Sequence, residues 1–526
     1  MFTPLGITRS ELCGKGRNVV RKEGKQVLLI DAGERIFAIA NRCPHEGYPL
    51  SEGTLGPGCV LTCNWHNWKF DLKTGAALVG RDPVRTYPVE LRGENILADL
   101  SDPPAAAQRA HALNGLESAI ADNDMARMAR ELARLERAGF DAGVGLSHAI
   151  AVRNARLEEG MTHAHAAAAD WLALAERASS PELRLTALLE PVAHLADDTR
   201  GANLFPYTDG TAEWNAPAFV AAVEAEDEAR AIALVRGALA QGLTYERLLP
   251  VFAEAALAHY ADFGHCAIYA FKTGQLISCL GADAAEPLLL SLTRMLVRST
   301  REERLPEFRF YAKALAAWDG GGSEPAHAKD FIGASIDGTL KRALASSGRE
   351  VRELYDALLG AAAWNLLHFN RAFEQASDGA IADNINWLDF THALTFANAC
   401  RHLCAERPDL WPRALLQMAL FAGRNRKYVS ADMAEEHIAG WAVRDRDAFL
   451  AREMTALYDH GVPEPIIACH RVKVLHALED ELAAAPDAPW ADAMCAAVNR
   501  YLNTPMKRHH GLRTATQARD FIAREA

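Results

Sequence analysis

The sequence is short of cysteine, of long apolar runs and of positive charge. Ten cysteines are scattered over 526 residues. That is too few and too dispersed for a disulfide scaffold, so thiols are expected to stay reduced and available to metals. No apolar stretch approaches the roughly 18 residues needed to cross a bilayer. The start, MFTPLGITRSEL, lacks the basic and then apolar order of a secretory signal. A cytoplasmic protein with no membrane partner is expected. Lys and Arg number 56 against 68 Asp and Glu, a net charge of -12, which argues against a nucleic-acid partner because phosphate binding needs clustered positive charge. No short solenoid repeat is present. Apolar residues, by contrast, make up half the chain, enough at this length for a large core and more than one domain.

Two regions differ in period. Residues 26–31 (QVLLID) and 35–40 (RIFAIA) are β-rich runs around Ala32-Gly33-Glu34, and residues 87–91 and 95–100 flank Arg92-Gly93-Glu94 in the same way, as in hairpins. Ser101-Asp102-Pro103-Pro104 then ends the strand pattern, since proline cannot donate to a ladder. Beyond it, residues 124–138, 216–239, 286–301 and 430–459 carry apolar side chains at three- and four-residue spacing. Interruptions fall at Gly320-Gly321-Gly322 with Pro325, at Pro408 and Pro412, and at Pro463 and Pro465. The expected fold is multidomain α and β: a small antiparallel β domain, residues 1–102, and a large all-α domain, residues 107–526.

The β region contains Cys43-Pro44-His45, seventeen intervening residues, and Cys63-Asn64-Trp65-His66. Two thiolates and two imidazoles in paired loops suit a Rieske [2Fe–2S] cluster, with Cys43 and Cys63 on one iron and His45 and His66 on the other. A structural zinc site needs the same four donors, but it predicts nothing about the flanking aromatic residues. The segments from Cys43 to Ser51 and from Cys63 to Gly75 resemble the two cluster loops of Rieske-type ferredoxins and Rieske oxygenases, over about the first 100 residues. Respiratory Rieske proteins add a cysteine to each loop, and a Ser and a Tyr that donate to cluster sulfur. Here Tyr48, Trp65, Trp68 and Phe70 stand in the corresponding places. Without those donors a lower potential is expected, suited to supplying electrons for oxygen chemistry. Cys59 lies off the motif and reads as a small core residue.

Such a cluster passes single electrons, so the helical region is expected to hold an acceptor or a docking surface. The usual mononuclear-iron domain of Rieske oxygenases is excluded, because the chain lacks an Asp-x2-His-x4-His element and the second region lacks strands. Histidine, a frequent metal ligand, concentrates there instead. Thr162-His163-Ala164 and Thr391-His392-Ala393 share a tripeptide, and each is followed at long range by another histidine, His265 and His470. Four imidazoles would meet if two helical layers packed together, with His165 competing with His163 for one place. His194, His259, His368, His402 and His476 match no paired pattern. Cys400 with Cys404, and His402, read as core and helix-face residues. Asp262 and Asp389 read as helix caps or as acceptors for imidazole N–H groups. Glu435-Glu436-His437 has the look of a carboxylate-bridged diiron site but lacks a partner motif.

The His163-x-His165 pair, the His265 segment, Thr391-His392-Ala393-Leu394-Thr395 and His470-x-x-Lys473 loosely resemble the questin oxidase-like family of all-helical non-haem iron oxygenases. That resemblance implies Fe(II) held by histidines in the helical domain, joined by a carboxylated lysine. Lys473, on the same helix face as His470, is the candidate. It further implies oxygenase activity: O2 and a small aromatic or polycyclic organic substrate, hydroxylated or oxidatively cleaved. An NAD(P)H-dependent flavin reductase or a ferredoxin is expected to load the Rieske cluster, which would feed that iron. Two rivals remain. One is an electron carrier whose helical domain docks an oxygenase partner, the other a diiron carboxylate oxygenase.

Overall fold

A computed structural model describes residues 1–430 and 438–525, apart from the side chain of Asp262. The chain divides into two compact units, Met1–His111 and Ala112–Ala526.

The first unit holds eleven strands in three antiparallel sheets, ordered β1-β11-β10, β2-β3-β4-β9 and β5-β6-β7-β8. The strands are β1 (Phe2–Thr8), β2 (Arg17–Lys22), β3 (Lys25–Asp31), β4 (Ile36–Ala40), β5 (Thr54–Gly56), β6 (Val60–Thr62), β7 (Lys69–Asp71), β8 (Ala77–Val79), β9 (Thr86–Tyr87), β10 (Val89–Arg92) and β11 (Asn95–Asp99). β3 is apolar without alternation because both its faces are covered. Val27 and Leu29 enter one core with Leu5, Leu12, Ile96 and Leu100, while Leu28 and Ile30 enter another with Cys43, Cys63, Leu61 and Phe70. The second core ties the sheet to the cysteine loops. The run expected over residues 87–91 is two strands, β9 and β10, because Pro88 separates them and has no N–H to donate.

The second unit is helical. Residues 125–137 form a helix capped by Asp124, whose side chain accepts from the Arg127 N–H. The expected helix over 216–239 is two, Ala216–Glu224 and Glu228–Ala240, broken at Glu226 (φ +58°) and restarted by the Asp227 cap. Within 430–459 the described helix is Arg446–Ala456. Glu435-Glu436-His437 lies outside the described residues. Pro412 and Pro465 start helices where a loop was expected, since a missing N–H costs nothing in the first turn. Among the described residues no helix is long and apolar enough to cross a membrane.

Four helices form a closed ring at the centre of this unit: α1 (His163–Glu176), α2 (Ala261–Leu280), α3 (Leu388–Glu406) and α4 (Pro465–Ala484). Each packs on the next, and α4 packs on α1. All four run in one direction. Beyond the histidines near their starts, Lys272 Nζ of α2 lies 2.7 Å from Asp170 Oδ1 of α1. Phe271 of α2 stacks on His402 of α3 at 4.3 Å. Asn398 of α3 donates to Asp480 and Glu481 of α4 at 2.6 and 2.9 Å, and Glu479 of α4 accepts from Arg177, which caps the end of α1, at 2.8 Å.

Two candidate metal centres

The cysteine loops follow β4 and β6, and they fold alike. The Cys43 N–H donates to the Tyr48 carbonyl (2.8 Å) and the Gly47 N–H to the Cys43 carbonyl (2.8 Å). In the other loop the Cys63 N–H donates to the Trp68 carbonyl (2.8 Å) and the Asn67 N–H to the Cys63 carbonyl (3.0 Å). The fourth residue after each cysteine, Gly47 (φ +79°) or Asn67 (φ +60°), is left-handed, a conformation that glycine and asparagine tolerate best. Both thiols are buried and neither is in a disulfide. Burial pushes the Cys43 thiol up to about 11, with the adjoining Cys63 thiol adding to the rise and the His45 backbone opposing it. A metal cation reverses that penalty, because the thiolate is its ligand.

The two imidazoles meet edge to face, with His45 Nδ1 3.1 Å from His66 Nδ1. Each leans on an indole of the second loop: His45 stacks on Trp68 at 4.8 Å, and His66 on Trp65 at 5.1 Å. Trp65 itself is 56% exposed. Two buried thiols behind and two facing Nδ1 atoms in front, presented by matched loops, fit a two-iron cluster held half by sulfur and half by nitrogen.

A family model for the Rieske [2Fe-2S] domain matches residues 7–88. Over 78 residues the chain is 38% identical to the 3-phenylpropionate/cinnamic acid dioxygenase ferredoxin subunits of Shigella boydii serotype 4 (strain Sb227) and Escherichia coli (strain K12), an overlap of 14% of this chain and 74% of each of those proteins. The chain belongs to the Rieske [2Fe–2S] family. Among solved structures, the ferredoxin of carbazole 1,9a-dioxygenase from Nocardioides aromaticivorans IC177 is 29% identical, covering 19% of this chain and 99% of that one, with a TM-score of 0.18. The Rieske match ends at residue 88, so the second centre stands on its own geometry.

That centre lies at the N-terminal end of the four-helix ring. His163 is the first residue of α1, His265 and His392 are the fifth of α2 and α3, and His470 is the sixth of α4. Their rings close a circuit: His265 Nε2 is 3.1 Å from His163 Nε2 and 2.8 Å from His392 Nε2, and the His470 ring lies 4.5 Å from that of His392 and 5.1 Å from that of His163. One ring nitrogen each of His163, His392 and His470 lies within 4.8 Å of the others. His265, His392 and His470 are buried, while His163 keeps partial exposure. Tyr269, one turn beyond His265, packs against the rings of His163 and His265.

Burial holds His163, His392 and His470 well below the ordinary imidazole range, with neighbouring imidazoles and Lys473 adding to the effect. His265 Nε2 faces two further ring nitrogens at 2.8 and 3.1 Å, more than one ring N–H can serve, and His470 Nε2 is buried with no hydrogen-bond partner. A cation among the four nitrogens resolves both features; a four-imidazole metal site therefore fits these residues.

The other sequence candidates fall around this circuit. His165 does not join it: its Nδ1 accepts from the Thr162 N–H at 3.2 Å, capping α1, and burial lowers it to about 4. Lys473, one turn beyond His470, is buried; its Nζ has no hydrogen-bond partner, and burial pushes it down. Asp389 accepts from the Asn386 N–H (2.9 Å) and pairs with Arg424 (3.5 Å), so it ties down the turn that leads into α3. His402 pairs with Asp480 at 2.6 Å on the outside of the ring. Sequence reasoning missed Trp65 and Trp68 as supports for the cluster imidazoles, although the spacing Cys-x-Trp-His-x-Trp carries that signal. It also missed the Asp170–Lys272 pair, for which no local pattern exists.

Proposed function

We propose that residues 1–102 donate single electrons and that residues 107–526 are a non-haem iron oxygenase that oxidises an aromatic or polycyclic organic substrate by hydroxylation or oxidative cleavage. The observation that carries this reading is the convergence of four histidine rings in a chain that also carries a Rieske domain. In the first unit Cys43 and Cys63 would hold one iron of the [2Fe–2S] cluster and His45 and His66 the other. In the second, His163, His265, His392 and His470 would hold Fe(II), which when bound supplies activation of O2. An NAD(P)H-dependent flavin reductase or a ferredoxin would load the cluster.

The chain's own residues contribute burial, orientation and charge. Four helix N-termini, each carrying about half a positive charge, point at one place already destined for a dication, and that field calls for an anion. Lys473 is placed to supply one. Burial disfavours its ammonium form, and the neutral amine would add CO2, forming an N–C bond and losing one N–H proton to solvent, to become an anionic carbamate on the His470 face. The partial exposure of His163 leaves that side as the approach for substrate and O2.

The test is a comparison of the full chain with His392→Ala. The variant is expected to keep the electron paramagnetic resonance signal of the reduced cluster and to lose substrate-dependent O2 consumption. Equal O2 consumption by both proteins would contradict the oxygenase reading. One observation favours a second reading, a pure electron carrier: the relatives are ferredoxin subunits of a dioxygenase. Against the diiron reading, the group of His163, His392 and His470 includes no carboxylate among the described residues.

A further inference from the structure

Resting on the four-histidine reading, we infer that Thr391 is a positioning residue that fixes the tautomer of His470, and that one backbone carbonyl, Leu388, sets two of the four imidazoles, His392 directly and His470 through Thr391. The Leu388 carbonyl accepts from His392 Nδ1 at 2.6 Å. A carbonyl oxygen only accepts, so the His392 proton sits on Nδ1 and the Nε2 lone pair faces the centre. The same carbonyl accepts from Thr391 Oγ1 at 3.1 Å. With its proton committed there, Thr391 Oγ1 accepts from His470 Nδ1 at 3.2 Å, which leaves His470 Nε2 bare, and that atom is the buried nitrogen with no partner.

Thr391 is fully buried and bridges two helices of the ring, so its hydroxyl transmits the orientation of α3 to a histidine of α4. The tripeptide shared with Thr162 does not act the same way. Thr162 lies at the cap of α1, where its Oγ1 is 3.4 Å from His165 Nδ1, and no bond from it to a ring of the circuit is formed among the described residues. The hydroxyl at Thr391 is therefore specific to the metal-facing pair.

The experiment is Co(II) binding to the full chain under anaerobic conditions, by competition against a chromophoric chelator, with the visible Co(II) bands recorded. The unaltered protein is expected to take up one Co(II) in the helical unit. Thr391→Val, which keeps the shape and removes the hydroxyl, is expected to bind about 10- to 100-fold more weakly and with altered bands. Thr391→Ser is expected to restore both, and far-ultraviolet circular dichroism of all three proteins to coincide. Equal affinity and bands for Thr391→Val would overturn the role of Thr391 and leave the four-histidine centre standing. Weakening in Thr391→Ser equal to that in Thr391→Val would overturn it as well, since packing and not the hydroxyl would then decide. No Co(II) uptake by the unaltered protein would overturn the centre and this inference together.

Discussion

Trp68 stands between Gly80 and His45. A Cβ at Gly80, already at φ +111°, would fall on the Trp68 indole, the ring on which His45 stacks. Gly80→Ala is thus expected to cost about 1–3 kcal/mol and to shift the resonance spectrum of the reduced cluster; thermal unfolding and the spectrum check it. The buried imidazoles make a second prediction. Below about pH 6.5 the unfolded chain binds protons that His163, His392 and His470 refuse in the fold, and that His165 refuses down to about 4. Each therefore makes the metal-free protein less stable as pH falls, by up to about 1.4 kcal/mol per pH unit. Urea midpoints measured from pH 7.5 to 5 are expected to fall steeply, and less so in His165→Gln. The cluster residues were legible in sequence because their spacing is local and chemically unusual. Thr391 was legible only as part of a repeated tripeptide, since its bond to His470 spans 79 positions.

The four parallel helices depend on contacts beyond the histidines. Asp170 and Lys272 are buried and 2.7 Å apart, two turns past His163 and His265, and they hold α1 in register with α2. Asp170→Ala leaves an unpaired buried ammonium and is expected to cost about 3–5 kcal/mol, whereas replacing both residues by apolar ones of similar volume recovers most of that loss. Denaturant midpoints of the two variants test this; equal losses would show that the pair does not act as a unit. Helical period marked the second region as helical, but it does not encode direction or neighbours. Parallel packing of four helices hundreds of residues apart follows from tertiary contacts alone. The same limit explains why 216–239 read as one helix: the break at Glu226 depends on a single backbone angle and a cap.

At the scale of the whole molecule, the sparse cysteines resolve into two buried beside β3, five buried in the helical unit and three at or near the surface, Cys13, Cys59 and Cys279, while histidines take over as the candidate donors of the second centre. The β unit was readable as a Rieske domain from its motif; the helical unit was readable as helical, and its chemistry emerges only when four chain-distant rings are seen together. The central claim, an iron centre in the helical unit beside the two irons of a Rieske cluster, is tested most directly by iron analysis of fully loaded protein. About three irons per chain are expected, falling to two in the His392→Ala His470→Ala variant with the cluster signal intact. Two irons per chain in the unaltered protein, with a full Rieske signal, would contradict it.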